Sequence, residues 1–232
     1  VRSFCGDGQP DFSVLPAIAG RIKARYIEAD MYKKPDHYAD KAKKMGYPAR
    51  SVFKLEEIDT KYRLCKPGCR ILDIGAAPGS WSLYCLRKIG KKGSIIAVDL
   101  KEIGNSELRR AANVQLLQGD ITDAALQEEI IAYSPFDVLL SDAAPNTTGN
   151  KTVDCGRSVT LGIKIITTFL PLLKDGGNIA VKVFQGGGAT EILNLMRPHF
   201  RTVKGIKPKA SRNNSVETFY IATGKLTSPS PA

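Results

Sequence analysis

At 232 residues the chain is long enough for one domain with a full core, and 43% hydrophobic beside 25% charged residues is ordinary for a globular protein. No apolar run approaches the ~20 residues that a bilayer-spanning helix needs. The start of the chain, with Asp7 and Asp11 ahead of a weakly apolar patch from Val14 to Gly20, lacks the form of a secretory signal. A net charge of +11 points to a polyanionic partner, nucleic acid or an anionic membrane surface.

Residues 1–30 carry no firm pattern and read as an N-terminal extension. From Tyr32 to Tyr47, lysines 33, 34, 41, 43 and 44 alternate with Tyr32, Tyr38 and Tyr47. Basic residues with aromatics suit RNA, whose phosphates meet the lysines and whose unstacked bases meet the rings. The plainer alternative is a solvated helix face with its tyrosines packed inward. A helix is expected from Lys41 to Arg50, and a second, amphipathic one over 50–59, where Val52, Leu55 and Ile58 share a side and Lys54 lies close to that seam. Cys65 and Cys69 have no second pair to complete a metal set. The odd cysteine count, with His37 and His199 far apart, predicts free thiols, no metal and a reducing compartment such as the cytoplasm.

From Arg70 onward strands and helices alternate. Strands are predicted at 70–74, 95–99, 114–118, 136–141, 178–184, 200–206 and 216–223, and helices at 80–89, 105–112, 123–132, 154–174 and 189–197. That alternation implies an α/β fold with a mostly parallel sheet covered on both faces, binding its ligand beyond the carboxyl ends of the strands. Residues 31–225 form one catalytic domain in this reading, and 226–232, rich in Ser and Pro, a loose tail.

The stretch from Ile71 to Ser82 is a buried strand, a Gly-rich turn through Gly75 and Gly79, and the start of a helix, the nucleotide-cradling corner of such a sheet. It lacks the Gly-Lys-Ser/Thr of a phosphate-gripping loop and the Gly-x-Gly-x-x-Gly of a dinucleotide site, and Asp73 within it would repel phosphate. A ligand with hydroxyls, an amine and a positive charge fits better, and S-adenosylmethionine has all three. Each of the first four strands ends in or near a carboxylate: Asp73, Asp99, Asp120 and Asp142. Asp99 stands where an acid conventionally accepts from ribose hydroxyls, and Asp120, one strand further out, can accept from an adenine amino group. Asp120 and Asp123 are equally good helix caps.

Lys182 lies inside an otherwise buried strand, where desolvation disfavours an ammonium without a partner, and it is expected to face the crevice near Asp142. Glu217 sits on a late strand; taken alone, a strand glutamate is usually solvent-facing.

The ordered motifs Arg50-Ser-Val-Phe-Lys54, Asp73-Ile-Gly-Ala-Ala-Pro-Gly-Ser-Trp81, Ser141-Asp-Ala-Ala-Pro-Asn146, Val181-Lys-Val-Phe-Gln-Gly186 and Ser215-Val-Glu217 resemble the FtsJ/RrmJ ribose 2′-O-methyltransferases over residues 31–225. The resemblance implies a Rossmann-like methyltransferase sheet of seven strands with the last hairpin strand antiparallel, and a Lys-Asp-Lys-Glu tetrad at Lys54, Asp142, Lys182 and Glu217. It places cofactor contacts at Gly79, Trp81, Asp99, Asp120 and Asp142, beside Gly75 of the turn. The segment Thr147–Arg157 and residues 1–30 depart most from the family pattern.

Attack by a ribose hydroxyl on a sulfonium methyl needs proton removal and in-line placement. Burial and neighbouring ammonium groups lower a lysine's pKa, which makes Lys182 the expected base and Lys54 a positioner, with Asp142 and Glu217 holding the two lysines. Lys41–Arg50, Lys61-Tyr-Arg63 and Lys204–Arg212 are expected to converge around the crevice, the loop before Glu217 being suited to phosphate. The partner is then RNA, whose 2′-hydroxyl is the target, with a uridine of large-subunit ribosomal RNA or the large subunit itself as substrate for a monomeric, cytoplasmic enzyme. A transfer RNA ribose is the nearest alternative substrate. A non-catalytic RNA-binding assembly factor and a nucleotide-dependent oxidoreductase are the competing functional classes; the intact tetrad opposes the first and the missing Gly-x-Gly-x-x-Gly the second.

Overall fold

A computed structural model of the chain describes residues 36–186, 188–212 and 215–229. The N-terminal extension, Tyr32 with Lys33 and Lys34, and the last residues of the tail lie outside the described residues. One seven-stranded sheet organises the remainder, in the order β3-β2-β1-β4-β5-β7-β6. Its strands are β1 (Arg70–Ile74), β2 (Ser94–Asp99), β3 (Val114–Gln118), β4 (Phe136–Ser141), β5 (Leu173–Phe184), β6 (Phe200–Ile206) and β7 (Glu217–Lys225). β1 to β5 pair in parallel, while β7 runs antiparallel between β5 and β6. The strand order reverses between β1 and β4, which opens a crevice beyond their carboxyl ends.

The central strands are apolar runs without alternation because both faces are covered. On one face Ile71, Ile95, Val138, Leu140 and Ala180 pack under α2 (Val52–Tyr62), α3 (Ser80–Ile89) and α4 (Ser106–Arg110). On the other, Leu72, Ile74, Val98, Leu139 and Val181 pack under α5 (Ala124–Ile131), α6 (Lys151–Phe169) and α7 (Ala189–Met196). A residue's parity along its strand therefore decides which layer it serves.

Two helices depart from the sequence expectation. The first, α1, runs from His37 to Lys44 rather than from Lys41 to Arg50. Asp36 caps its N-terminus, and Gly46 and Pro48 end it. Its tyrosines follow the plainer reading, since Tyr38 lies 5.4 Å from the Phe53 ring and Tyr47 packs against the same core under Arg87. Lys41, Lys43 and Lys44 are exposed. The long helix α6 begins three residues earlier than the predicted 154–174 because Asn150 accepts from the backbone of Thr152 and Val153. It stops at Phe169 because Pro171 cannot donate the next helical bond. Cys65 and Cys85 are unbridged, their sulfurs 3.5 Å apart in the core.

The Gly-rich corner is fixed by sterics. Gly75 has φ +77°, and a Cβ there would stand 2.5 Å from the Cα and amide N of Ala143, the first turn residues beyond β4. Its amide donates to Val98 O at 2.8 Å, so the turn is clamped between β2 and the loop after β4. Gly75→Ala combines left-handed strain with a clash against backbone that cannot swing away. The substitution is expected to lower the unfolding free energy by at least ~2 kcal/mol in chemical denaturation, and a loss under ~0.5 kcal/mol contradicts this geometry.

Candidate active site

The crevice at the carboxyl ends of β1, β2, β3 and β4 is a cleft of about 410 Å³. Gly75 and Ala77 form one wall, Asp99 and Asp120 a second, and the loop from Asp142 to Asn146 a third. Asp99 ends β2, with Oδ2 accepting from Ala77 N at 2.9 Å and Oδ1 from Lys101 N at 2.8 Å. Asp120 follows β3 and accepts from both the amide and hydroxyl of Thr122 at 2.8 Å, bonds that hold its carboxyl below the ordinary value. The cap of α5 is instead Asp123, which accepts from Ala125 N. Asp120 is thus left at the cleft, and only Asp123 serves as the cap.

Asp142 completes the acidic rim. Lys182 Nζ lies 2.8 Å from its Oδ1 as an ion pair, while the hydrogen bond from Nζ goes to the backbone carbonyl of Asp142. The buried Oδ1 therefore has charge compensation but accepts no hydrogen bond among the described residues. A cleft with three carboxylates and an acceptor lacking a donor fits a ligand bearing positive charge and N–H or O–H groups, as S-adenosylmethionine does. The same carboxylates oppose a phosphate-rich dinucleotide.

Three sequence-stretch residues stand elsewhere than expected. Asp73 points not into the cleft but onto the helical face of β1, fully buried beneath α3, where it accepts from Ser82 Oγ at 2.5 Å. Burial pushes its carboxyl up to about 7, against the Ser82 bond, with Asp142 and Asp99 adding repulsion. Its role is in the core, so the rim holds three acids rather than four. Trp81 is also buried: its ring sits 5.6 Å from that of Phe219 and its indole N–H donates to Ser51 O. Gly79 is the N-cap of α3, packed against Ile103, Asn105 and Leu108. Neither Gly79 nor Trp81 lines the cleft. The physical reason is that this turn is committed elsewhere: the Gly79 amide donates to Ala76 O at 2.6 Å, Ser80 Oγ accepts from Ala49 N and the Trp81 indole donates to Ser51 O.

The four tetrad residues meet beside this cleft. Lys182 is opposite Phe219 in the β5–β7 register, and Glu217 lies two residues before Phe219, so Lys182 and Glu217 share the face covered by α2. Lys54, in the first turn of α2, reaches down to Glu217 with 2.7 and 2.8 Å contacts to its two oxygens. Burial pushes Glu217 up, but the Lys54 bond and charge, the Ser211 hydroxyl and the Lys182 charge outweigh it and hold the carboxyl below the ordinary value. Against the usual habit of a strand glutamate, Glu217 is 7% exposed. A second cleft, also about 410 Å³, opens above Lys54 and Glu217 and is lined by Arg50, Ser51, Arg212 and Ser215. Lys182 itself lines neither cleft, but it links a residue of each, pairing with Asp142 of one while its charge acts on Glu217 of the other.

Of the basic segments expected to converge here, only Arg50 and the loop carrying Arg212 line the second cleft. Lys61 lies two turns further along α2, about 10 Å away along its axis. Sequence reasoning missed two acids. Asp36 is the partner of Arg50, and Asp154 of α6 accepts from Thr148 and Gly149 and so pins the loop that walls the cofactor cleft. An Asx cap ahead of α1 was a readable signal for the first; nothing local marks the second. Among the described residues no group of three metal-ligating side chains occurs, and no helix is long and apolar enough to cross a membrane.

The family model described as FtsJ-like methyltransferase matches residues 47–225. A relative in Treponema denticola, named ribosomal RNA large subunit methyltransferase E, is 44% identical over 190 residues, 82% of this chain and 94% of its own. One of the same name in Borrelia duttonii is 43% identical over 192 residues, 83% of this chain and 97% of its own. A crystal structure described as a ribosomal RNA methyltransferase from Plasmodium falciparum is similar at 31% identity and TM-score 0.66, covering 78% of this chain and 99% of that one. Aeropyrum pernix fibrillarin, solved with S-adenosyl-L-methionine, shares the fold at 16% identity and TM-score 0.53 over 75% of this chain and 76% of that one. The architecture is the Rossmann-like methyltransferase sheet.

The buried acid makes a stability prediction. Between the ordinary aspartate value of 3.8 and about 7, the folded protein holds a proton on Asp73 that the unfolded chain has released. Its contribution is fully present below that window and lost as pH rises through it. Asp73→Asn keeps an acceptor for Ser82 without the charge. Its stability relative to wild type is expected to rise between pH 4 and 7 by on the order of 3 kcal/mol in urea titrations. A difference that stays flat across that range contradicts the assignment.

Proposed function

The chain belongs to the FtsJ-like methyltransferase family, and from that premise we propose that it transfers a methyl group from S-adenosylmethionine to a ribose 2′-hydroxyl of RNA. The observation that carries this reading is Lys182, paired with Asp142 of an acidic cleft and on the same sheet face as Glu217 of a cationic one. When bound, S-adenosylmethionine supplies an electrophilic methyl on a sulfonium. Asp99 would take its ribose hydroxyls, Asp120 its adenine amino group, and Asp142 its positive charge and amine. Gly75 lets the backbone approach the ligand closely.

The acceptor ribose then lies over Lys54 and Glu217. Lys182, having first given up one ammonium proton to solvent, takes the hydroxyl proton at Nζ, while Asp142 fixes that nitrogen from the cofactor side. Lys54, clamped by both oxygens of Glu217, orients the ribose or its neighbouring phosphate rather than moving a proton. An enzyme whose task is to bring oxygen, base and methyl into line needs rigid placement of each, and paired charges on packed strands provide it. A 2′-hydroxyl acceptor selects RNA over DNA. The names of the relatives favour ribosomal RNA of the large subunit over transfer RNA; the nucleotide we propose there is a uridine.

Lys182→Ala is expected to reduce methyl transfer from labelled S-adenosylmethionine to large-subunit RNA by roughly 10³-fold or more, with cofactor affinity by calorimetry within about threefold of wild type. Lys54→Ala should weaken RNA use, raising KM as well as lowering kcat. Wild-type-like turnover of Lys182→Ala removes the base from this assignment. Label that enters transfer RNA and not large-subunit RNA moves the substrate.

A further inference from the structure

The acceptor cleft carries one more cation than its carboxylates can pair closely. Lys54 is held by Glu217 at 2.7 Å, and Lys182 by Asp142 at 2.8 Å. Arg50 is held twice, by Asp36 through Nη1 and by the carbonyl of Ala210 at 2.6 Å through Nη2. Arg212 has, among the described residues, only the already occupied Asp36, whose Oδ2 lies 3.7 Å from its Nη2. That distance is beyond a hydrogen bond. The Arg212 side chain is 70% exposed and lines the cleft with Lys54 and Glu217.

Building on the RNA methyltransferase reading, we propose that Arg212, backed by Arg50, is the seat for a backbone phosphate of the acceptor strand, and that Asp36 acts there as an internal competitor. Two guanidiniums converging on one carboxylate make a geometry that a backbone phosphodiester satisfies better, since both of its free oxygens can face the arginines whereas Asp36 has one oxygen committed to the helix cap. Asp36 divides its oxygens: Oδ1 caps α1 by accepting from Ala39 N at 3.2 Å, and Oδ2 faces the arginines. The Arg50 bond, foremost, holds its carboxyl below the ordinary value, so it stays charged and competes. The loop carrying Arg212 is fixed around it: Lys207 Nζ donates to Ser215 O and Lys209 N to Glu57, both at 2.7 Å. Ser211, the residue before, is buried beside Glu217. A phosphate taken by Arg212 is therefore placed with respect to the tetrad, as the phosphate next to a reacting 2′-hydroxyl must be. Arg50 keeps its tight pair and supplies the frame; the loosely held Arg212 is the cation that changes partner.

The test is a double-mutant cycle read by fluorescence anisotropy with a fluorescein-labelled RNA stem-loop, on the full chain across a salt series. Asp36→Asn removes the competing charge yet remains a good helix cap, so α1 is retained. It is expected to tighten RNA binding roughly threefold near 0.1 M salt, the gain fading as salt rises. Arg212→Ala should weaken binding roughly fivefold and reduce the slope of log affinity against log salt by about one; Arg212→Lys should restore most of the slope. In the Arg212→Ala background, Asp36→Asn should give no gain. An equal gain in both backgrounds shows a general charge effect and overturns the seat, as does the absence of any gain in Asp36→Asn alone. Wild-type protein that neither binds RNA nor methylates it takes down the functional reading itself. Binding and methylation without the coupling overturn only the seat.

Discussion

An ammonium removed from water has to be given a counter-charge, and at Lys182 this requirement shapes the whole rim. The side chain is 9% exposed on the fifth strand of the sheet, between two layers of apolar packing. Breaking such a buried pair commonly costs about 3–5 kcal/mol, far more than an exposed pair contributes. Asp142 answers it both with its carboxylate and with its main-chain carbonyl. Because β4 and β5 are hydrogen-bonded neighbours, Ser141 opposite Val181, the loop after β4 is held where its first residue meets the lysine. The loop after β4 and the Lys182 ammonium are thus one electrostatic unit.

The Gly-rich corner joins that unit to the acceptor side. Clamped against Ala143 at Gly75, it sets the loop that begins at Asp142. Its helix α3 then reaches the other way: Ser80 Oγ accepts from Ala49 N at 2.8 Å, and the Trp81 indole donates to Ser51 O at 2.9 Å. These bonds seat the start of α2, from which Lys54 descends onto Glu217. Trp81 matters as the post on which the acceptor-side helix is set. The core ring of Phe219, 5.6 Å from Trp81 and 5.8 Å from Lys54 Nζ, fills the space between them. One turn and one helix end therefore position a carboxylate of the first cleft and a lysine of the second.

Sheet class and strand positions were legible because they follow from local rules, apolar runs and Gly-rich turns, and Lys182 because no lysine belongs in a buried strand without a partner; Lys54 and Glu217 were marked as a set with it only by the family resemblance. Asp99 and Asp120 were legible by position, being the acids that close consecutive strands. Asp73 was misread because its place in the string resembles theirs, while its parity along β1 sends it to the opposite environment. Strand ends lie at the rim, but a residue one before the end serves a face. Gly79 and Trp81 were misread for a related reason, since a motif marks a turn without saying which atoms of it face the ligand. The ends of α6 depended on Asn150 and Pro171, both visible, and on choosing between competing stops. Asp36 and Asp154 act across the tertiary structure, on Arg50 and on the Thr148–Gly149 loop, and no periodicity carries that information.

Charge is arranged in two different ways over this molecule. At the reacting rim, Lys54 with Glu217, Lys182 with Asp142 and Arg50 with Asp36 cancel in pairs. Little of the net +11 is therefore spent where the chemistry occurs. The excess lies on exposed residues such as Lys43 and Lys44 of α1, Lys61 of α2, and Arg201 and Lys204 of β6. A polyanion is gathered by that diffuse charge from several ångströms away, an interaction that salt screens. Pairs inside the rim are short and shielded, so salt acts on them weakly. The division lets attraction be strong without placing unpaired cations beside a sulfonium, whose own positive charge they would repel. Arg212 is the exception, an exposed cation at the mouth of the second cleft.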